Sequence, residues 1–118
     1  MADNQPSTAH GFRVNCYEVD GTLVAECHGK LTFENTPVLK EVLQGKIAGR
    51  KRIVLDLKGV PLIDSSGLGS VVGLYVSART RGCQLGVANA QEQIRQLFSV
   101  SNLLCLFEAA GRHHGKTI

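Results

Sequence analysis

Along residues 12–108, apolar positions follow two rhythms. Short runs rich in β-branched residues and leucine read as strands, and segments with apolar residues three and four apart read as helices. Phe12–Val19 and Leu23–His28 are the first two strand-like runs, and Asp20-Gly21 between them signals a hairpin turn. A loop over 29–35 leads to Thr36-Pro37, with Thr suited to a helix N-cap and Pro to the first helical position. Val38, Leu39, Val42, Leu43 and Ile47 form the stripe of that helix, and Gly49 is placed to end it. Ile53–Leu57 reads as a buried strand, followed by a connection over 58–63 that holds Gly59 and Pro61. The next helix opens at Asp64-Ser65-Ser66, whose side-chain oxygens suit the unpaired N–H groups of a first turn. Leu68, Val71, Val72, Tyr75 and Val76 predict its inward face, and Gly82 its C-terminal cap. Cys83–Ala88 then predicts a strand, Gln91–Ser99 a short helix with Ile94, Leu97 and Phe98 inward, and Leu103–Phe107 a last strand.

The resulting order, β-β-α-β-α-β-α-β, predicts an α/β domain with a mixed, mostly parallel sheet of four to five strands flanked by helices. A chain of 118 residues is long enough for one domain with a real core. The polar opening, residues 1–11, reads as a flexible arm; 12–109 is the domain; 110–118 is a polar tail.

Charge and composition remove several function classes. A net charge of +3 is too mild for a nucleic-acid partner, and the chain has no Trp and few aromatics for base stacking. The one basic cluster, Arg50-Lys51-Arg52, reads as a solvated loop. No apolar run approaches the roughly 20 residues of a membrane span, and no secretory pattern opens the chain. The four cysteines, Cys16, Cys27, Cys83 and Cys105, lie in or beside strands with no C-x-x-C spacing. They read as free core thiols in a reducing cytoplasm, with no metal and no disulfide.

Three apparent motifs lose their mechanism on inspection. Ala110–Thr117 matches a relaxed phosphate-binding loop, but only Ile118 follows, so no helix can present its N-terminus to a phosphate. Gly67, Gly69 and Gly73 mimic a dinucleotide fingerprint, but a loop separates them from the strand and no acid follows near residues 83–90. Gly73 reads instead as tight helix-on-sheet packing, and Gly67 and Gly69 as thinning the first turn for a partner's approach. Ser65 and Ser66 lack the G-x-S-x-G setting of a hydrolase nucleophile. Asp64 reads as a cap or loop-ordering residue, and from the residues alone a cap is also the plainer role of Ser65.

DSSGLG at Asp64–Gly69, preceded by LDLKGVPLI, resembles the STAS-domain family, and within it the bacterial anti-anti-sigma factors (anti-sigma factor antagonists). The resemblance extends from Phe12 to Glu108 and takes in GKLTFEN at Gly29–Asn35 and RQLFSVSNLLCLFE at Arg95–Glu108. It implies the STAS fold and a binding protein with no enzymatic activity and no cofactor. It implies that Ser65, directly after the motif's Asp, is the phosphorylated residue, and that Asp64, Ser65, Ser66, Gly67, Leu68 and Gly69 form the partner surface. The implied partner is an anti-sigma factor with serine kinase activity. The unphosphorylated protein binds it and frees the sigma factor, phosphorylation reverses this, and a serine phosphatase resets the switch. The alternative within the family is a non-switching STAS scaffold or transporter-associated subunit. Thr32 stands where the family often has a small polar or acidic residue, and Phe33 follows it in the loop expected beside the switch.

Overall fold

The computed structural model describes residues 7–9 and 11–100. Within them the order is β1 (Ser7–Ala9), β2 (Phe12–Val19), β3 (Thr22–His28), α1 (Thr36–Gln44), β4 (Arg52–Gly59), α2 (Ser65–Thr80), β5 (Gln84–Ala88) and α3 (Glu92–Val100). The strands form one sheet in sequence order, β1-β2-β3-β4-β5. Among the described residues the sheet is mixed: β1, β2 and β3 pair antiparallel, and β3, β4 and β5 pair parallel. β1 was not predicted and lies inside the stretch read as a flexible arm. An edge strand needs only a backbone partner, so its polar Ser-Thr-Ala sequence gives no apolar rhythm to detect. The predicted strand at Leu103–Phe107 and the tail lie outside the described residues.

Asp20 and Gly21 both take positive φ, 51° and 82°, which turns β2 back into β3 with the twist a two-residue hairpin requires. The two parallel crossovers are made by α1 and α2. One core joins all three helices. Leu23, Ala25 and Cys27 of β3, Ile53, Leu55 and Leu57 of β4, and Leu85 and Val87 of β5 pack with Leu39 and Leu43 of α1, Val71, Leu74 and Ala78 of α2, and Ile94 and Phe98 of α3.

α1 keeps the predicted stripe but not its ends. Asn35, not Thr36, is the N-cap, and the Thr36 hydroxyl donates to the Phe33 carbonyl instead. The helix stops at Gln44 with Gly45 as C-cap, and Ile47 is buried beyond it. The basic cluster is more engaged than a solvated loop: Arg50 pairs with Glu18, and Arg52 lies in β4 with a hydrogen bond to Gln84.

The inward face of α2 is rotated from the predicted stripe, sharing Val71, with Leu68 and Tyr75 packed at its margin. Its buried positions are Gly67, Ser70, Val71, Leu74 and Ala78, while Val76 is exposed and Leu68, Val72 and Tyr75 are half-buried. Ser70 satisfies its hydroxyl on the Gly67 carbonyl at 2.7 Å, which lets a polar residue enter the core side. The helix ends as predicted near Gly82, where the amides of Cys83 and Gly82 bond the carbonyls of Ala78 and Arg79.

Gly73 lies on the outer side of α2. It is exposed, and a Cβ there would meet nothing within 4 Å, so helix-on-sheet packing is not its role; Gly69 is equally open. A glycine inside a helix costs about 1 kcal/mol relative to alanine. Gly69→Ala and Gly73→Ala should therefore each raise unfolding free energy by about 0.5–1 kcal/mol in denaturant titration. A loss of stability in either would mean the space beside that residue is not open.

Candidate functional site

The site is built where two chain segments leave the sheet side by side. Beyond the ends of β3 and β4 the strands' pairing continues irregularly: Gly29 N–H donates to the Gly59 carbonyl (3.0 Å), and Leu31 N–H to the Leu62 carbonyl (2.9 Å). Leu31 and Ile63 form an isolated parallel bridge, and Asp64 N–H reaches back to the Leu31 carbonyl at 3.3 Å. The loop after β3 is thereby fixed against the turn that starts α2.

Asp64 locks the junction. It is the N-cap of α2 with an extended backbone. One carboxylate oxygen accepts the Gly67 amide at 2.8 Å, and the other accepts the Phe33 amide at 3.0 Å, 31 residues away in sequence. The side chain expected to cap or to order a loop does both. Charge-assisted bonds of this kind are about twice as strong as neutral ones, and the carboxylate also sits at the positive end of the helix.

Gly67 makes the close fit possible. It is buried, and a Cβ on it would lie 2.1 Å from the Leu31 carbonyl oxygen and 3.0 Å from Ile63 Cγ2. The room left by the missing side chain is filled by this chain, not by a partner, which corrects the expectation that Gly67 opens the turn to an approaching molecule. Gly69 alone of the two keeps an open face.

Because Asp64 supplies the cap, Ser65 is released from that task. Ser65 is the first residue of α2, and both it and Ser66 are exposed. Among the described residues neither hydroxyl engages another group, whereas the hydroxyls of Thr36, Ser70 and Thr80 each donate to a backbone carbonyl. From Ser65 an outward strip continues along α2 through Gly69, Gly73 and Val76, all exposed, and no charged residue occurs between Asp64 and Arg79. At 1.5 Å per residue the strip is about 16 Å long. Leu68, at half-burial, packs on the core rather than standing free.

The loop that faces this turn is tightly made. Asn35 donates from its side chain to the Lys30 carbonyl (2.6 Å) and from its amide to the Thr32 carbonyl (2.8 Å), and Thr36 N–H also bonds Thr32 (3.1 Å). Thr32 is half-buried, Leu31 fully buried, and Phe33 lies with 73 % of its surface exposed. Leu31 and Leu62 were not singled out by the sequence, since they act through backbone N–H and carbonyl groups.

Elsewhere the chemistry is sparse. Glu26, His28, Asp56 and Lys58 line a cavity of about 230 Å³ at the ends of β3 and β4, with His28 Nε2 at 4.0 Å from Glu26 Oε1. It mixes both charge signs, and none of its residues belongs to the Ser65 turn. No group of His, Cys, Asp and Glu among the described residues is arranged to hold a metal. Cys16, Cys27 and Cys83 are free thiols, and burial raises the pKa of each, with Cys27 raised furthest; Cys105 lies outside the described residues. No described helix is long and apolar enough to cross a membrane.

Comparison with known proteins agrees with the fold. The STAS-domain family model matches residues 13–116. The chain is 28% identical over 85 residues to the anti-sigma F factor antagonist of Paenibacillus polymyxa, covering 70% of this chain and 73% of that protein. It is also 28% identical over 87 residues to the anti-sigma-B factor antagonist of Bacillus subtilis, covering 74% and 80%. Among solved structures, the anti-sigma factor antagonist SpoIIAA in its unphosphorylated form superposes with a TM-score of 0.70 at 20% identity, over 89% of this chain and 99% of that one. With its mixed sheet, its helices on a common core and a family match spanning nearly the whole chain, this protein belongs to the STAS-domain family.

Proposed function

We propose that this protein is an anti-sigma factor antagonist controlled by phosphorylation of Ser65. Its unphosphorylated form binds an anti-sigma factor that is also a serine kinase and so releases the sigma factor; transfer of a phosphoryl group to Ser65 ends the binding, and a serine phosphatase restores it. The protein is the kinase's substrate and the phosphatase's substrate, acting in the cytoplasm, and performs no chemistry itself. The observation that carries this reading is the free, exposed Ser65 hydroxyl on a turn already capped by Asp64. A hydroxyl committed to capping would have to give up its hydrogen bond before a kinase could use it. The names of the relatives at 28% identity support the general role.

The surface suits such a partner. The uncharged strip of Ser65, Gly69, Gly73 and Val76 exposes backbone and small side chains, so another protein can approach α2 closely. A phosphate adds nearly two negative charges at the head of that strip, next to Asp64. The helix N-terminus tolerates the charge, whereas a partner surface fitted to a neutral hydroxyl does not.

The test is incubation with the cognate anti-sigma factor and ATP, followed by fragment mass spectrometry that separates Ser65 from Ser66. One phosphate per chain on Ser65 is expected, with none on the Ser65→Ala protein. Phosphate on Ser66 would contradict the assignment.

A further inference from the structure

Phe33 is a large aromatic side chain held out in water, on a loop tied by hydrogen bonds at several points. With 73% of its surface exposed it stands out further than Leu62 (46%) on the adjoining segment. Nothing in its backbone is loose. Its amide is bound by Asp64 Oδ2, its carbonyl accepts the Thr36 hydroxyl, and the flanking residues are tied by the Asn35–Lys30, Asn35–Thr32 and Leu31–Leu62 bonds. A loop free to rearrange would fold such a ring against apolar neighbours; this one presents it.

We infer that Phe33 is the aromatic anchor of the partner-binding surface, inserted into an apolar pocket of the anti-sigma factor beside the groups that meet Ser65. The inference rests on the reading under Proposed function and adds to it the chemistry of the partner's side: a pocket sized for a phenyl ring, adjoining a neutral polar patch for the serine. Continuity is provided by one residue. The Asp64 carboxylate binds the Phe33 amide and the Gly67 amide at once, so the ring's backbone and the Ser65 turn are two arms of one hydrogen-bonded unit. Aromatic residues dominate binding energy where they enter a desolvated pocket. A ring on a pre-ordered backbone also binds with little loss of conformational freedom. The surroundings fit that use: Leu62 lies on the adjoining segment, and the uncharged strip of α2 begins at Ser65.

The experiment takes the anti-sigma factors of the source organism, titrates each with the full-length protein by calorimetry, and uses the tightest binder as probe. Parent, Phe33→Ala and Ser65→Asp proteins are then compared. Phe33→Ala should bind at least tenfold more weakly, with a thermal midpoint unchanged within about 2 °C because the position is exposed. If Ser65→Asp loses binding while Phe33→Ala loses less than tenfold, the anchor is wrong and the switch reading stands. If no anti-sigma factor binds, or Ser65→Asp binds as tightly as the parent, the switch reading falls and this inference with it. If the parent forms a dimer in sedimentation velocity that Phe33→Ala abolishes, the ring serves a second copy of this chain and the inference is overturned.

Discussion

Ser65→Asp should bind the anti-sigma factor at least a hundredfold more weakly than the parent while remaining folded. The two halves of this expectation have separate physical origins. A negative charge at a helix N-terminus is worth about 0.3–1 kcal/mol of stabilisation, offset here in part by the neighbouring carboxylate of Asp64. Net stability should therefore move by less than about 1 kcal/mol. In the complex the same charge is desolvated without a partner, which costs several kcal/mol, and each 1.4 kcal/mol is about tenfold in affinity. Ser65→Ala should stay folded, because the hydroxyl makes no internal bond to lose, and should bind far more tightly than Ser65→Asp, because it brings no charge into the interface. Binding of Ser65→Asp within threefold of the parent in a calorimetric titration would count against the switch and favour a scaffold role within the family.

Gly67→Ala should destabilise the domain by about 2 kcal/mol, although the same change two residues on, at Gly69, should stabilise it. An added Cβ would sit 2.1 Å from the Leu31 carbonyl oxygen, a backbone atom that cannot rotate aside. Overpacking of this kind costs about 1–3 kcal/mol or more, against a gain of about 1 kcal/mol in helix propensity. Relief requires the loop and helix to separate, which lengthens the Asp64 bonds to Phe33 and Gly67 together. For a chain of this size the midpoint of thermal unfolding should fall by roughly 8 °C. The variant should also lose affinity for the anti-sigma factor, since the Phe33 loop no longer holds its place beside Ser65. An unchanged midpoint would mean that the junction yields easily and does not fix the site.

Most elements were legible because their apolar rhythms are long and uninterrupted. β2, β3, β4 and β5 lie within a residue or two of the runs that predicted them, and α3 likewise. The inward face of α2 was not, because Gly67, Ser70 and Ala78 carry no strong hydrophobic signal yet occupy the buried side. Packing volume, not hydrophobicity, sets that face: only small residues let the helix lie close to its neighbours. The glycines illustrate the same limit. Gly67, Gly69 and Gly73 look alike in sequence, but one abuts a carbonyl and two face open space. Asp64 was legible as a cap because capping is local, whereas its bond to Phe33 spans 31 residues and depends on two loops leaving the sheet together. The placement of the Phe33 backbone depends on that long-range bond, so its sequence neighbours do not reveal it.

On the proposed function, one phosphoryl group on Ser65 decides whether the partner is bound. Its most direct test is a titration of the anti-sigma factor with two preparations of the same protein, one unmodified and one phosphorylated stoichiometrically on Ser65, with far-ultraviolet circular dichroism showing both to be folded. The unmodified form should bind saturably, and the phosphorylated form at least a hundredfold more weakly. Equal affinity of two folded forms would contradict it.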